Sequence, residues 1–133
     1  MKKSKILIIV SLIFVVSIFV SCFLIYNSIF PKAPPIESPH PDTVLLFEVK
    51  DNSDISYSVS LLSFYGVLLD AEPTRIMSVN DYPDTQYYYE INIATESRNY
   101  RYFLYTSSGK DYIEMPYVGV YEIKNFKIDN LFR

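Results

Sequence analysis

The sequence predicts an α+β protein with one N-terminal membrane-spanning helix, a proline-rich linker, and a small antiparallel sheet of about five to seven strands with one short packed helix. Three observations lead to this fold class. Residues 6–30 carry no formal charge, and five of the eight prolines lie within 31–41. From Asp42 onward, short stretches of alternating apolar and polar residues are separated by turn-forming residues, which is typical of antiparallel strands.

The apolar stretch 6–30 follows a basic end, residues 1–5, which contains three lysines. A helix of about 25 residues spans roughly 37 Å, more than the roughly 30 Å of bilayer hydrocarbon. The apolar core of a signal peptide is usually only about 7–15 residues, so the length favours an uncleaved single-pass anchor. The lysines predict a cytoplasmic N-terminus and an extracytoplasmic C-terminal domain.

A second fate is open for the same stretch, because residues 18–22 resemble a bacterial lipobox ending at Cys22. Ser21 fits that motif, whereas Phe19 is bulkier than the usual aliphatic residue and 23–25 are unusually apolar for a mature lipoprotein start. Cys22 is therefore a candidate lipidation site, and the protein is either a single-pass or a lipid-anchored protein of the cell membrane. Cleavage with full secretion is a third alternative, and all three place the domain outside the cytoplasm.

The linker 31–41 is expected to be extended and semi-rigid, as polyproline segments are. His40 is the only histidine and is interpreted as a solvated linker residue. The net charge changes sign at the end of the linker, from +3 before Asp42 to −6 over 42–133. An acidic domain argues against nucleic acid or anionic wall polymers as partners.

Within the domain, 43–50 reads as a strand, 51–54 as a turn and 55–60 as the returning strand of a hairpin. Apolar residues recur at helical spacing over 61–70, so this segment is predicted to be a short amphipathic helix capped by Ser60, although Gly66 weakens it. A short strand is predicted over 74–79.

The second half of the domain predicts a meander. The strongest strand is 86–95, followed by 100–106, a turn at 107–110, and 111–115. Pro116 cannot donate to a sheet ladder and is predicted to mark an edge or a bulge, with 117–124 continuing extended. Residues 125–133 are expected to form a last short strand or a docked tail.

Two motifs resemble a known family: Ser-Val-Asn-Asp-Tyr-Pro at 78–83 and Tyr-Ile-Glu-Met-Pro-Tyr-Val-Gly-Val-Tyr at 112–121. The family consists of small, exported, membrane-attached proteins of Firmicutes and is catalogued as a domain of unknown function. The resemblance covers roughly 44–123, with Val120 where isoleucine is usual and Asp111 where an aromatic residue is common. It implies an extracytoplasmic domain of Gram-positive bacteria and supplies no catalytic residue.

The later motif also has a physical interpretation. Gly119 among tyrosines predicts a place where backbone or a ring approaches closely. Glu114 is flanked by apolar residues, and if buried it needs a partner such as a tyrosine hydroxyl, Arg98 or Arg101. The motif is either a strand–bulge–strand corner of the core or part of a tyrosine-lined groove.

Catalysis is not expected. The domain 42–133 has no histidine or cysteine, which removes the usual bases and zinc ligands, and it has no glycine-rich phosphate loop. A carboxylate pair for glycoside cleavage can be drawn only from acidic residues in loops or on outward strand faces, namely Asp81, Asp84, Glu90 and Glu114. The sequence therefore predicts that the protein is not an enzyme and that it has neither a cofactor nor a metal site.

The leading hypothesis is an interaction module that binds a protein or peptide partner at the bacterial cell surface. Tyrosine is enriched at interfaces, and 12 of the 13 tyrosines lie in the domain. The candidate interaction surface comprises the residues Tyr82, Tyr88, Phe103, Tyr105, Glu114, Tyr117 and Tyr121. The alternative is a small-ligand or cell-wall glycan binder that uses surface tyrosines. The oligomeric state is left open.

Overall fold

The computed structural model describes residues 2–132, with side chains described from residue 5. The chain forms two compact units, Met1–Lys32 and Ala33–Arg133. The first unit contains α1, Lys2–Ile29. Within α1, Lys5–Ile29 has a mean hydropathy of 3.1 and is long and apolar enough to cross a membrane, although a signal sequence has the same properties.

The second unit is built on an antiparallel sheet of seven strands among the described residues, together with one short helix, α2, Leu61–Asp70. The predicted α+β class, with five to seven strands and one short helix, is confirmed. The strands are β1 Val44–Asp51, β2 Ser56–Tyr57, β3 Ala71–Pro73, β4 Tyr89–Thr95, β5 Asn99–Ser107, β6 Lys110–Met115 and β7 Gly119–Ile123. In the sheet order β2-β1-β4-β5-β6-β7-β3, each neighbouring pair is antiparallel.

The main core lies between α2 and one face of the sheet. Phe64, Val67 and Leu68 are the buried residues of α2, at the spacing that one helical face requires. The Phe64 ring meets the Tyr102 ring edge-on at 5.5 Å, and Ile91 and Ile93 of β4 are fully buried in the same cluster. Ser60 occupies the N-cap position of α2, but its side chain makes no capping bond.

The predicted strand over 74–79 is wrong. The strand instead comes earlier, where β3 pairs with β7 from Ala71↔Ile123 to Pro73↔Tyr121. Pro73 is tolerated there because β3 is an edge strand of the sheet, so the N–H that proline lacks is not needed for a hydrogen bond to a neighbouring strand. Residues 74–88 form a loop, and this loop lies over the sheet face opposite α2 through contacts described below.

The later motif also differs from its prediction. Pro116 does not mark a bulge in a continuing strand, because the chain reverses in a turn over 116–118 and returns as β7. The turn is closed by a 3.0 Å bond from the Val118 amide to the Met115 carbonyl, and Tyr117 has a φ of 61°. The motif is therefore a strand–turn–strand hairpin.

The C-terminal segment is a docked tail rather than a strand. Its only regular element among the described residues is a 3₁₀ turn, Ile128–Asn130, and Ile128 and Leu131 are buried in the core. The Asp70 carboxylate, at the end of α2, accepts hydrogen bonds from the amides of Asn125 and Phe126 at 2.6 and 2.8 Å. The tail thereby closes one end of the core.

Residues 33–40, here called the docked segment, are extended as predicted but do not project from the domain. Three tyrosine hydroxyls donate to backbone carbonyls along the segment. Tyr121 bonds Pro34 at 2.8 Å, Tyr102 bonds Glu37 at 2.6 Å, and Tyr65 bonds Pro39. The Ala33 amide donates to the Thr74 carbonyl at 2.8 Å, and Arg98 pairs with Glu37. A proline-rich segment presents free carbonyls, and the domain supplies the donors.

Gly119 confirms the predicted close approach. A Cβ at Gly119 would overlap the Cβ of Ala33 and would lie 3.5 Å from the Ala33 Cα. The same Cβ would lie 3.7 Å from the Tyr121 hydroxyl oxygen. The missing side chain therefore allows the docked segment to lie directly on β7.

Candidate binding site

A cavity of about 220 Å³ lies between loop 74–88 and the sheet face opposite α2. We call it the cleft. Its walls come from the loop, through Tyr82 and Asp84, and from β5 and β6, through Tyr105, Tyr112 and Glu114. Tyr105 and Tyr112 are direct neighbours across the two strands, and Glu114 lies two residues further along the same face of β6.

Phe103 lies on this sheet face beside the cleft and is fully buried, so its prediction as an exposed interaction residue is wrong. The rings of Tyr82 and Tyr88 cover it, with centroids 5.7 and 5.3 Å away, and the Arg101 guanidinium lies 4.9 Å from its centroid. The strand alternation predicted the correct face for Phe103. The cover comes from loop 74–88, which is distant in sequence.

Glu114 is the buried charge of the cleft, with 6% of its surface exposed. Ser78 donates to Glu114 Oε1 at 2.6 Å, and the Tyr105 hydroxyl donates to Glu114 Oε2 at 3.1 Å. A tyrosine hydroxyl is therefore one of its partners, as the sequence suggested, whereas Arg98 and Arg101 bind other carboxylates. No ion pair to Glu114 occurs among the side chains of residues 5–132.

Two aromatic rings form a wall of the cleft. Tyr105 and Tyr112 are stacked, with centroids 5.7 Å apart and an angle of 29° between the planes. Burial, followed by the negative charge of Glu114, raises the pKa of the Tyr105 hydroxyl well above its ordinary value. Tyr105 therefore stays a neutral hydrogen-bond donor to Glu114.

The β6–β7 turn is fastened to loop 74–88 by Ser78 and Asp81. The Tyr117 amide donates to Ser78 Oγ at 3.1 Å, and the Tyr117 hydroxyl donates to Asp81 Oδ1 at 2.8 Å. Ser78 Oγ thus accepts a hydrogen bond from the Tyr117 amide and donates one to Glu114. The bond to Asp81 raises the pKa of Tyr117. Turn, loop and cleft therefore form one connected hydrogen-bonded unit.

The opening of the cleft is apolar and exposed. We define the rim as the exposed apolar and aromatic side chains next to the cleft, namely Ile76, Met77, Val79, Tyr82 and Tyr117. Met77 exposes 76% of its surface and Tyr117 exposes 63%. Because the apolar pattern over 74–79 predicts a strand, 76, 77 and 79 were not among the candidate residues. The available signal was the motif beginning at Ser78, which anchors this loop.

The remaining predicted residues are dispersed. Tyr121 is fully buried in the main core, with its hydroxyl bound to the docked segment, so it belongs to no exposed surface. Tyr88 is half-buried beside Tyr82. Cys22 lies in α1 with an exposed thiol. Of the seven proposed surface residues, the structure groups Tyr82, Tyr105, Glu114 and Tyr117 at the cleft and its rim.

The acidic residues considered for catalysis are also separated. Asp84 and Glu114 line the same cavity, but Asp81 binds the Tyr117 hydroxyl and Glu90 pairs with Arg101 at 2.9 Å. Within the part of the chain that the structure describes, no group of three or more His, Cys, Asp or Glu side chains is placed to hold a metal ion. The cleft thus offers hydroxyls, rings and two carboxylates.

A family model matches residues 35–122, which is more than half of the chain, and its description is "Domain of unknown function (DUF5300)". The chain belongs to the DUF5301 family. The match begins within the docked segment and ends in β7, so this family's domain includes the cleft and most of the docked segment. No curated protein and no solved structure is significantly similar to the chain.

Proposed function

We propose that this DUF5301 protein is a membrane-anchored, extracytoplasmic interaction module whose cleft and rim bind a segment of a polypeptide partner. The observation that carries the proposal is the exposed apolar rim around a small cavity with fixed polar groups. Exposed apolar side chains that adjoin one another and surround a cavity are typical of an interaction site.

The size of the cleft supports a polypeptide rather than a free small molecule. Pockets that enclose drug-sized ligands usually measure about 300–1,000 Å³. A cavity of about 220 Å³ holds roughly one side chain. The rim extends the contact area beyond the cavity, as a partner backbone with neighbouring side chains requires.

The backbone of Tyr117 gives independent support. Its φ of 61° places a bulky residue in the left-handed region, which costs about 1–2 kcal/mol. Two hydrogen bonds hold this conformation and present the ring to solvent. Strained conformations of this kind are concentrated at binding and catalytic sites.

The proposed location rests on α1. The three lysines before the apolar stretch predict a cytoplasmic N-terminus, and an uncleaved α1 then anchors the domain at the outer face of the membrane. Lipidation of Cys22 is the alternative form of anchoring. Metabolic labelling with a radioactive fatty acid distinguishes them, because label that disappears in Cys22→Ala is expected only for the lipoprotein.

The proposal assigns binding rather than catalysis to the cleft. Glu114 is held by the hydroxyls of Ser78 and Tyr105, Asp84 lies in the exposed loop, and residues 42–133 contain no histidine or cysteine that could serve as a base or thiol nucleophile beside them. Incubation with purified cell wall tests this assignment. Released fragments above the level of a buffer control would replace it with a hydrolase.

Crosslinking in living cells tests the proposed function. Full-length protein is crosslinked, captured and compared with Met77→Ser/Val79→Ser, which makes the rim polar without touching the hydrogen bonds of the cleft. The control is Leu62→Ser/Leu69→Ser, because these α2 side chains are at least as exposed as Met77 and Val79 and lie away from the cleft.

A crosslinked protein that is lost only in the rim variant supports the proposal. If both variants retain it, or both lose it, the rim is not the binding surface. A saturable tyrosine fluorescence change with wall fragments, and no crosslinked protein, would instead favour glycan binding.

A further inference from the structure

We propose that the cleft receives a primary ammonium group, as on a lysine side chain of the polypeptide partner. This inference rests on the proposed function and adds the chemical class of the side chain that enters the cavity. The polypeptide partner is the proposed source of the ammonium group, and a free amine is a distinct outcome of the test below.

Glu114 is a buried acidic side chain without a cationic partner in the described part of the chain. A buried carboxylate is costly unless an opposite charge or several donors compensate it. Glu114 receives two neutral hydroxyl donors, and its two oxygens offer about four acceptor positions in total. Acceptor capacity therefore remains for a donor that enters from the cavity.

Basic side chains on the same sheet face pair with carboxylates other than Glu114. Arg101 pairs with Glu90 at 2.9 Å, and Lys110 pairs with Glu122 at 3.1 Å. Asp84 adds a second carboxylate to the cavity lining, and no lysine or arginine among the described residues lines it. The described lining of the cavity therefore contains two acidic side chains and no basic one.

An aromatic wall lines the cavity beside Glu114. The stacked rings of Tyr105 and Tyr112 line the cavity beside the carboxylate, and ring faces attract cations. The protein already uses this contact nearby, because the Arg101 guanidinium lies 4.7 Å from the Tyr82 ring centroid. A carboxylate with adjacent rings favours an organic cation with an apolar stem.

The geometry distinguishes ammonium from the other cations. An arginine binds best when both oxygens of one carboxylate face it, but the two oxygens of Glu114 are each bound by a different hydroxyl. A divalent metal site is commonly built on several carboxylates, and no group of three or more His, Cys, Asp or Glu side chains converges among the described residues. A lysine ammonium has a compact charge with three donors and suits a site of mixed oxygen acceptors.

The test uses ¹⁵N-labelled full-length protein in detergent micelles and follows the amide signals of Ser78 and Tyr117 during titration. The small probes are n-butylammonium, its neutral analogue n-butanol, and n-propylguanidinium. The peptide probes are acetyl-Ala-Leu-Lys-Leu-Ala-amide and the same peptide with norleucine at the centre. We expect saturable shifts with n-butylammonium and tighter binding of the lysine peptide, since the rim contacts its leucines.

Variants link the binding to the cleft. Glu114→Gln should weaken the lysine peptide at least about tenfold, whereas Glu48→Gln, the same charge change on exposed β1, should leave binding unchanged. Tyr112→Leu keeps an apolar wall and removes the ring face, and it should weaken the ammonium probes more than n-butanol. It provides the test if Glu114→Gln does not fold.

The outcomes separate this inference from the proposed function. Equal binding of n-butanol and n-butylammonium, or preference for n-propylguanidinium, overturns the ammonium assignment. Failure of every cationic probe overturns it too, and a persisting rim-dependent crosslink would then leave the interaction module intact. Binding of n-butylammonium without any gain from the lysine peptide overturns the polypeptide partner and assigns a free amine as the ligand.

Discussion

The Gly119→Ala substitution tests how the docked segment is attached to the sheet. The added Cβ would overlap the Ala33 Cβ, so either the contact is compressed or the segment moves away. Compression of a packed contact costs about 1–3 kcal/mol. Displacement breaks the bond from Ala33 to Thr74 and the bond from Tyr121 to Pro34, at about 1 kcal/mol each. Both estimates predict a loss of about 2 kcal/mol.

The assay is urea unfolding of the full-length chain in detergent micelles, followed by near-ultraviolet circular dichroism, which reports the tyrosines of the domain. With a slope of about 2 kcal/mol per molar urea, a loss of about 2 kcal/mol moves the midpoint down by about 1 M. The matched control is Gly66→Ala in α2. Its added Cβ meets nothing within 4 Å, so it should stabilise the domain by about 0.5–1 kcal/mol.

A second variant decides whether the contact with Ala33 is the cause. Ala33→Gly removes the opposing Cβ, so Gly119→Ala/Ala33→Gly should recover most of the lost midpoint. The reasoning is refuted if Gly119→Ala is as stable as the wild type, or if the double variant is as unstable as Gly119→Ala alone.

Three further predictions concern single side chains. The hydrogen bond from the Phe126 amide holds the pKa of Asp70 below its ordinary value of 3.8. The ionised Asp70 carboxylate therefore stabilises the folded domain above about pH 4, and this stabilisation is lost as the pH falls further. Asp70→Asn should therefore flatten the curve of unfolding midpoint against pH below about pH 4, and an unchanged slope contradicts this. Tyr117→Gly relieves about 1–2 kcal/mol of backbone strain but loses one exposed hydrogen bond. The free energy of unfolding should therefore change by less than about 1 kcal/mol, while the crosslink to the partner disappears. Tyr102→Phe removes the bond to the Glu37 carbonyl and should lower the free energy of unfolding in urea by about 1 kcal/mol, whereas no change would show that this bond adds nothing.

Local patterns were sufficient for most of the fold. The alternation over 86–95 predicted β4 and its buried face, on which Ile91 and Ile93 lie. The helical spacing over 61–70 predicted α2 despite Gly66. Gly119 among large residues predicted a close approach, although the sequence did not identify Ala33 as the neighbour.

Contacts between distant segments were not predictable from these patterns. The hydroxyls of Tyr65, Tyr102 and Tyr121 bind carbonyls that lie 26, 65 and 87 residues away, so the prolines indicated an extended segment without indicating that it docks. For the same reason Phe103 and Tyr121 read as exposed although both are buried. Alternation assigns a side chain to a face of the sheet, and a loop or segment from elsewhere decides whether that face is covered.

Local sequence patterns also predicted only part of the candidate site. Tyr82, Tyr105, Glu114 and Tyr117 were named from the sequence because of their residue types and motifs. The rim residues Ile76, Met77 and Val79 were not, because the apolar pattern over 74–79 resembles a short strand. Contacts between distant residues, such as the bond from Ser78 to Glu114 across 36 residues, place this loop over the sheet and create the cleft.

Site-specific photo-crosslinking in living cells is the sharpest test of whether the cleft and its rim bind a polypeptide partner. Benzoylphenylalanine is placed at Met77 on the rim or at Leu69 on α2, which exposes 88% of its surface. We expect one dominant protein adduct from position 77 and none of the same mass from position 69. No adduct from position 77, or the same adduct from both positions, would contradict a polypeptide-binding cleft.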